Sequence, residues 1–174
     1  SGYFSMEKDG SGRTMLKTGP KFFDLAHIRL YLMDGQPFAD PVRVNGVPGM
    51  RLVYESDEES DIRDFFQEVK HIKIFERVPG AVIRGQARPG ERVFAEGIAH
   101  TNRGRGFLVS AGALTGAKGV FELRVYYPSK TPYENGIGVA GPYTVRAGQK
   151  SFRVAVTEDA VTGGKVIEAD PASR

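Results

Sequence analysis

Apolar and polar positions change rhythm partway along this chain. Between Pro20 and Asp34, the residues Phe22, Phe23, Leu25, Ala26, Ile28, Leu30, Leu32 and Met33 cover more than one face. That spread predicts a helix-compatible element buried on several sides, with Gly35 taking the left-handed position past its end. The second half, Ile28-Arg29-Leu30-Tyr31-Leu32, fits a strand equally well, because a short apolar run does not separate the two periods. Pro41–Val44 and Val47 flank Asn45-Gly46, a type I′ hairpin signal, and Met50–Tyr54 follows as a short strand. Ser56 then opens a second predicted helix. Ser56 and Glu59 make a capping box, and Asp57, Glu58 and Glu59 set negative charge on the positive end of the helix dipole. Ile62, Phe65, Phe66 and Val69 recur at i, i+3, i+4 and i+7 as one apolar stripe, and Lys70, His71 and Lys73 close the element with positive charge.

Beyond Ile72 the rhythm becomes one of short strands. The candidates are His71–Phe75, Ala81–Ala87, Arg92–His100, Gly106–Ser110, Val120–Tyr127, Tyr143–Arg146, Ser151–Thr157 and Lys165–Ala169. Phe121, Leu123, Val125 and Tyr127 alternate cleanly with polar partners, as do Phe152, Val154 and Val156. Turn signals separate them: Pro79-Gly80, Pro89-Gly90, Asn102 to Gly106, Gly116 to Gly119, Asn135-Gly136 and Gly163-Gly164. This spacing predicts an α+β chain that is mostly β. A small mixed helix/strand core segment occupies residues 1–75, with 1–19 polar, glycine-punctuated and flexible. An antiparallel β-sandwich or barrel-like domain occupies 76–174.

A length of 174 residues suits one domain with a sizeable core, or two small ones. The absence of Cys removes disulfides, thiolate nucleophiles and Cys-ligated metal sites. A net charge of +3 is too small to indicate nucleic acid. No apolar run approaches the roughly 20 residues that span a bilayer, and the N-terminus has no h-region of a signal peptide. Any membrane-spanning part is therefore expected outside this sequence.

Candidate chemistry is sparse. His27, His71 and His100 lack any paired metal-ligand spacing, so no metal site is expected. Gly112 to Gly119 has the wrong spacing for a phosphate-binding loop and reads as a tight β-turn. Ser110 has Leu108 two residues before it and fails the nucleophile-elbow pattern. Arg103-Gly104-Arg105-Gly106 lacks aromatic platforms beside it and reads as a solvated hairpin tip rather than a nucleic-acid contact. The acidic run from Glu55 to Asp64 reads as a first helical turn and a solvated face. Tyr126-Tyr127-Pro128 and Pro132-Tyr133 read as strand ends covering the sandwich edge. No catalytic residue is assigned.

Three runs carry a family likeness: Arg29-Leu30-Tyr31-Leu32-Met33-Asp34-Gly35, Arg51-Leu52-Val53-Tyr54-Glu55-Ser56, and Lys73 through Phe75-Glu76-Arg77-Val78-Pro79-Gly80-Ala81 to Ile83 and Gly85. With Gly141-Pro142-Tyr143 and Val154 to Glu158, they resemble the C-terminal globular part of the archaeal oligosaccharyltransferase catalytic subunit, the AglB family, over roughly residues 22–168. The resemblance implies a larger enzyme that moves an oligosaccharide from a dolichol-linked donor to the Asn of an Asn-X-Ser/Thr sequon, on the extracytoplasmic face of the membrane. It also implies a multi-span N-terminal membrane domain as partner, carrying the acidic residues that bind Mn²⁺ or Mg²⁺. The family's WWDYG motif is not here, because the chain has no Trp. Gly2-Tyr3-Phe4-Ser5-Met6 is similar to the tail of a neighbouring family motif, which makes Met6 the one implied acceptor-pocket residue. On this reading the chain supports the acceptor site, needs no cofactor itself and is inactive alone. A second reading is an extracellular β-sandwich module that binds carbohydrate or protein. A third, centred on Arg103 and Arg105, is RNA binding.

Overall fold

The computed structural model describes residues 2–19, 21–37, 45–60, 69–130 and 136–169. The chain divides into two compact units, 1–48 and 49–174. In the first, β1 (Phe4–Lys8) pairs antiparallel with β2 (Thr14–Thr18), setting Met6 opposite Leu16. The Asp9 carboxylate closes their turn by accepting from the Ser11 hydroxyl and from the backbone N–H groups of Ser11 and Arg13. Those bonds, led by the Ser11 hydroxyl, hold its pKa below the ordinary aspartate value. The segment expected as a flexible loop thus contains two strands in register.

A 3₁₀ turn (Phe22–Asp24) and helix α1 (Ala26–Met33) follow. The element expected from Pro20 to Asp34 is broken by Leu25, which is extended at φ −70° and ψ 122°; Pro20 lies outside the described residues. The run from Ile28 to Leu32 is helical, not a strand. Gly35 takes φ 72°, as its position past a helix end requires, and Asp34 before it is also left-handed at φ 54°. The Gly35 N–H donates at 2.9 Å to the Arg29 carbonyl, which also accepts from the Asp34 N–H, closing the last turn. The expected type I′ turn does not form. Gly46 lies outside the left-handed region that this turn demands, and Pro41–Val44 lie outside the described residues.

In the second unit β3 (Met50–Glu55) pairs antiparallel with β4 (Lys73–Arg77), with a register shift between Leu52 and Tyr54. This pairing carries residues 50–55 into the second unit, which begins at Gly49. The helix expected to start at Ser56 is absent from residues 56–60. The Ser56 hydroxyl instead accepts from the Ile72 N–H at 3.0 Å and donates to the Glu58 carbonyl. A single bridge pairs Glu59 with Lys70. A capping box needs the Ser hydroxyl turned onto the N–H three residues ahead; the Ile72 N–H takes it here. Residues 61–68, which hold Ile62, Phe65 and Phe66, lie outside the described residues.

Two sheets build the rest. One has three strands: β13 (Val166–Glu168), β5 (Ala81–Gln86) and β8 (Val120–Val125), with β13 parallel and β8 antiparallel to β5. The other centres on β6 (Arg92–His100). It is flanked by β7 (Gly106–Leu114) on one edge and, on the other, by β11 (Tyr143–Ala147) and β10 (Gly138–Ala140). It is completed by β12 (Lys150–Val154) and β9 (Ser129–Lys130). The sheets do not join into a closed barrel. Alternation decides which side chains face inward: Phe121, Leu123 and Val125 from one sheet, and Val93, Ala95, Val145 and Phe152 from the other, share one buried cluster. Each large apolar side chain buried there contributes roughly 1.5–3 kcal/mol. Gly97 faces the same interior because no side chain fits: a Cβ would stand 2.4 Å from Val139 Cγ1. A short helix, α2 (Glu158–Gly163), connects β12 to β13. The Thr157 hydroxyl caps it by accepting from the Ala160 N–H at 3.1 Å, and Gly164 ends it at φ 65°.

Candidate functional site

Two of the second unit's buried charged groups, Arg51 and Glu55, stand on β3, the strand with the sequence Arg51-Leu52-Val53-Tyr54-Glu55. At its start, Arg51 is 7% exposed and forks between two carboxylates. Its Nε and Nη2 donate to Glu76 Oε2 on β4 at 2.9 and 2.6 Å, and its Nη1 and Nη2 donate to Glu158 of α2 at 2.9 and 2.5 Å. Burial pulls the Arg51 pKa down. The bonds donated to Glu158 and then Glu76 outweigh it, so the net direction is up.

At the other end Glu55 is fully buried. Its carboxylate accepts from Arg105 Nη2 at 2.6 Å, from Arg105 Nε at 3.0 Å and from the Thr101 hydroxyl at 2.5 Å. The Asn102 side chain mimics a strand partner, accepting from the Glu55 N–H at 2.9 Å and donating to its carbonyl at 3.0 Å. Arg105 also lies over the Phe107 ring, 5.5 Å from its centroid. The Arg103-Gly104-Arg105-Gly106 tip is therefore not simply solvated. Arg105 is 12% exposed and inserted onto Glu55, while Arg103 pairs with Asp57 at 2.7 Å. A buried ion pair of this kind, with its remaining lone pair taken by a hydroxyl, is the arrangement that offsets desolvation.

A third lock holds the middle of β3. The Leu52 N–H donates to the Tyr127 hydroxyl at 2.7 Å, and the Tyr143 hydroxyl donates to the Tyr127 carbonyl at 2.8 Å. Burial, followed by the proximity of Tyr127, drives the Tyr143 phenol well above its ordinary pKa, so it stays a donor. Tyr127 is 1% exposed and is a core residue rather than cover for the sandwich edge. Pro132-Tyr133 lie outside the described residues, as do residues 61–64 of the acidic run. Glu55, at the head of that run, is interior and not part of a solvated face.

The remaining sequence candidates do not converge. Met6 stands on β1, 77% exposed. Of the run from Gly112 to Gly119 expected as a tight turn, Gly112 to Leu114 end strand β7 and the turn is confined to Thr115 to Gly119, with the Gly119 N–H donating to Gly116 O at 2.9 Å. Among the described residues no three His, Asp or Glu side chains converge to hold a metal ion. Glu55, Glu76 and Glu158 are each neutralised by arginine, so a divalent cation finds no fit among them. No described helix is long and apolar enough to cross a membrane. One cleft of about 570 Å³ opens where the end of β5 and the β5–β6 loop meet the β11–β12 turn.

The Glu55–Arg105 pair had no signal in local periodicity, since its members are 50 positions apart. A lone glutamate ending an apolar strand, with an Arg-Gly-Arg tip downstream, was the only hint.

The family described as the archaeal glycosylation protein B long peripheral domain matches residues 80–167, from the glycine before β5 into the last strand. No curated protein sequence matches the chain. Among solved structures, the fold is similar to AglB from Archaeoglobus fulgidus in complex with an inhibitory peptide and a dolichol-phosphate, at a TM-score of 0.70 and 16% identity. It is also similar to the oligosaccharyltransferase of that organism in complex with Zn and sulfate, at 0.69 and 16%. A third similar structure is the same enzyme tethered to an acceptor peptide containing the NVT sequon, at 0.68 and 15%. Each likeness covers 97% of this chain but only 27–29% of the other. The chain thus spans less than a third of the length of these relatives.

Proposed function

Because the chain belongs to the family of the archaeal glycosylation protein B long peripheral domain, we propose that it is the non-catalytic, extracytoplasmic scaffold of an oligosaccharyltransferase and braces the site where the acceptor polypeptide sits. The observation that carries this reading is the triple locking of β3. Arg51, Glu55 and the Leu52 N–H each find partners inside the unit, so the strand's buried polar groups fix geometry and none is left to attack, protonate or hold a metal. Rigid support of this kind serves a reaction by keeping the reacting partners in place, where misplacement of about 1 Å is costly.

The partners are then an N-terminal transmembrane domain, a polypeptide with an Asn-X-Ser/Thr sequon, and a dolichol-linked oligosaccharide. The Mn²⁺ or Mg²⁺ belongs to that membrane domain. Met6, exposed on β1, contributes the edge of the acceptor pocket.

Incubation of this chain with a sequon peptide, a lipid-linked donor and Mn²⁺ yields no glycopeptide. Removing residues 50–168 from the intact enzyme abolishes transfer. Turnover by the chain alone, or full transfer without those residues, would refute the proposal.

A further inference from the structure

We propose that the cleft between the β5–β6 loop and the β11–β12 turn binds an anionic sugar unit, one that carries a carboxylate on a hydroxylated ring. The inference rests on the glycan-transfer reading for the presence of a glycan, but its chemistry comes from the cleft itself.

The lining joins Gln86 and Arg88 from one side to Gln149 and Lys150 from the other, with Glu91 and the buried Phe152 between them. A volume of about 570 Å³ falls within the roughly 300–1,000 Å³ typical of small-molecule sites. Elsewhere in this unit Arg51, Arg84, Arg103, Arg105 and Arg146 have carboxylate partners, whereas Arg77, Arg92, Arg124 and Arg153 have none among the described residues. The Arg88 guanidinium and Lys150 ammonium have none among the described residues. Two cations facing one carboxylate leave the cleft positive. Glu91 holds its place because Oε2 accepts from the Arg88 N–H at 3.0 Å. Its Oε1 reaches over the β11–β12 turn, where a Cβ on Gly148 would stand 2.0 Å from it. Only glycine therefore lets the turn close over this carboxylate, and Gly148 adopts φ 56° to do so.

The two glutamine amides are also without partners among the described residues. Each both donates and accepts, as a sugar hydroxyl does. A free Glu91 oxygen adds an acceptor, Phe152 and Ala147 supply the apolar wall, and the cations select a negative charge. Sulfate would accept from the cations and the amide N–H groups but has no hydrogen to donate to the amide carbonyls or to Glu91.

The test is a titration of the whole 174-residue chain, labelled with ¹⁵N, against glucuronate, glucose and sulfate in separate arms. Amide shifts are expected at residues 86–88, 90, 91 and 147–152, with glucuronate bound about tenfold more tightly than glucose or sulfate, the worth of one charge-assisted hydrogen bond. The double variant Arg88→Ala and Lys150→Ala should bring glucuronate down to the level of glucose. Its thermal midpoint should not move, since neither side chain is paired in the fold. Gln149→Ala should weaken both sugars alike. Sulfate binding as tight as glucuronate would overturn the sugar assignment, and silence of these amides in all three arms would overturn the site. Neither result touches the scaffold reading, which is tested by glycopeptide formation.

Discussion

Neutralising Glu55 tests the energetics of the lock on β3 most directly. In Glu55→Ala the Arg105 guanidinium, 12% exposed, loses the carboxylate that compensates its burial. The Thr101 hydroxyl loses its acceptor as well. Breaking a buried pair by removing one partner costs about 3–5 kcal/mol. The stack on Phe107 and the slight exposure of Arg105 place this case near 3 kcal/mol. Glu55→Gln keeps an acceptor for Arg105 and should cost roughly half as much. The companion variant Glu55→Leu with Arg105→Met removes both charges and should recover most of the loss, because an apolar replacement of similar volume is often neutral. Urea unfolding of the parent, Glu55→Leu, Arg105→Met and the double variant, followed by far-ultraviolet circular dichroism, gives the four corners of the cycle, and the pair's coupling should come out near 2 kcal/mol. The chain lacks Trp, so dichroism is the natural probe. Glu55→Ala within 0.5 kcal/mol of the parent, or strictly additive single variants, would refute the reasoning.

Other outcomes follow from the same structure. The Tyr143 phenol is raised in the fold above its ordinary value near 10. Its stabilising contribution is fully present below about pH 10 and is lost as pH rises beyond it, because the unfolded chain gives up that proton first. Stability measured by urea midpoint should fall above pH 10, and Tyr143→Phe should flatten that fall while costing about 1 kcal/mol at neutral pH for the bond to the Tyr127 carbonyl. Arg51→Met should cost only about 1–2 kcal/mol, since Glu76 and Glu158, at 47% and 53% exposed, regain water; a loss above 4 kcal/mol in the same urea assay would contradict that. Gly97→Ala places a methyl 2.4 Å from Val139 and should destabilise by roughly 1–3 kcal/mol through overpacking, read as a lowered thermal midpoint.

The strands of the sandwich were legible because their signals are local. Arg92–His100 is predicted and observed with the same limits, since Pro89-Gly90 sets its start and alternation fixes its face. The helix at Ser56 failed for a reason equally specific. Capping chemistry counts only neighbours in sequence, whereas the Ser56 hydroxyl is claimed by Ile72, 16 positions away. Helix α2 went the other way. It has an N-cap threonine, two acids in its first turn and a glycine stop, but six residues are too few to set up an apolar stripe, so the stretch between the strands expected at Ser151–Thr157 and Lys165–Ala169 carries only the Gly163-Gly164 turn signal. The resemblance reached the right family through runs that turn out to be α1, β3 and the β4–β5 segment, without revealing that Glu55 at the end of β3 is an interior anion. A charge inside a β-unit becomes visible only with its partner, and Arg105 comes from a different hairpin.

The locks on β3 also impose an order on biosynthesis. The hydroxyl that receives Leu52 lies 75 residues downstream, and the carboxylate that completes Arg51 lies 107 residues downstream. During vectorial synthesis the strand leaves the ribosome long before either arrives, with β4 as the strand it pairs with first. Closing such long loops is the slow step in topologies built on distant contacts. The nascent chain must therefore hold an apolar, charge-bearing strand in waiting until nearly all of the sandwich has been made.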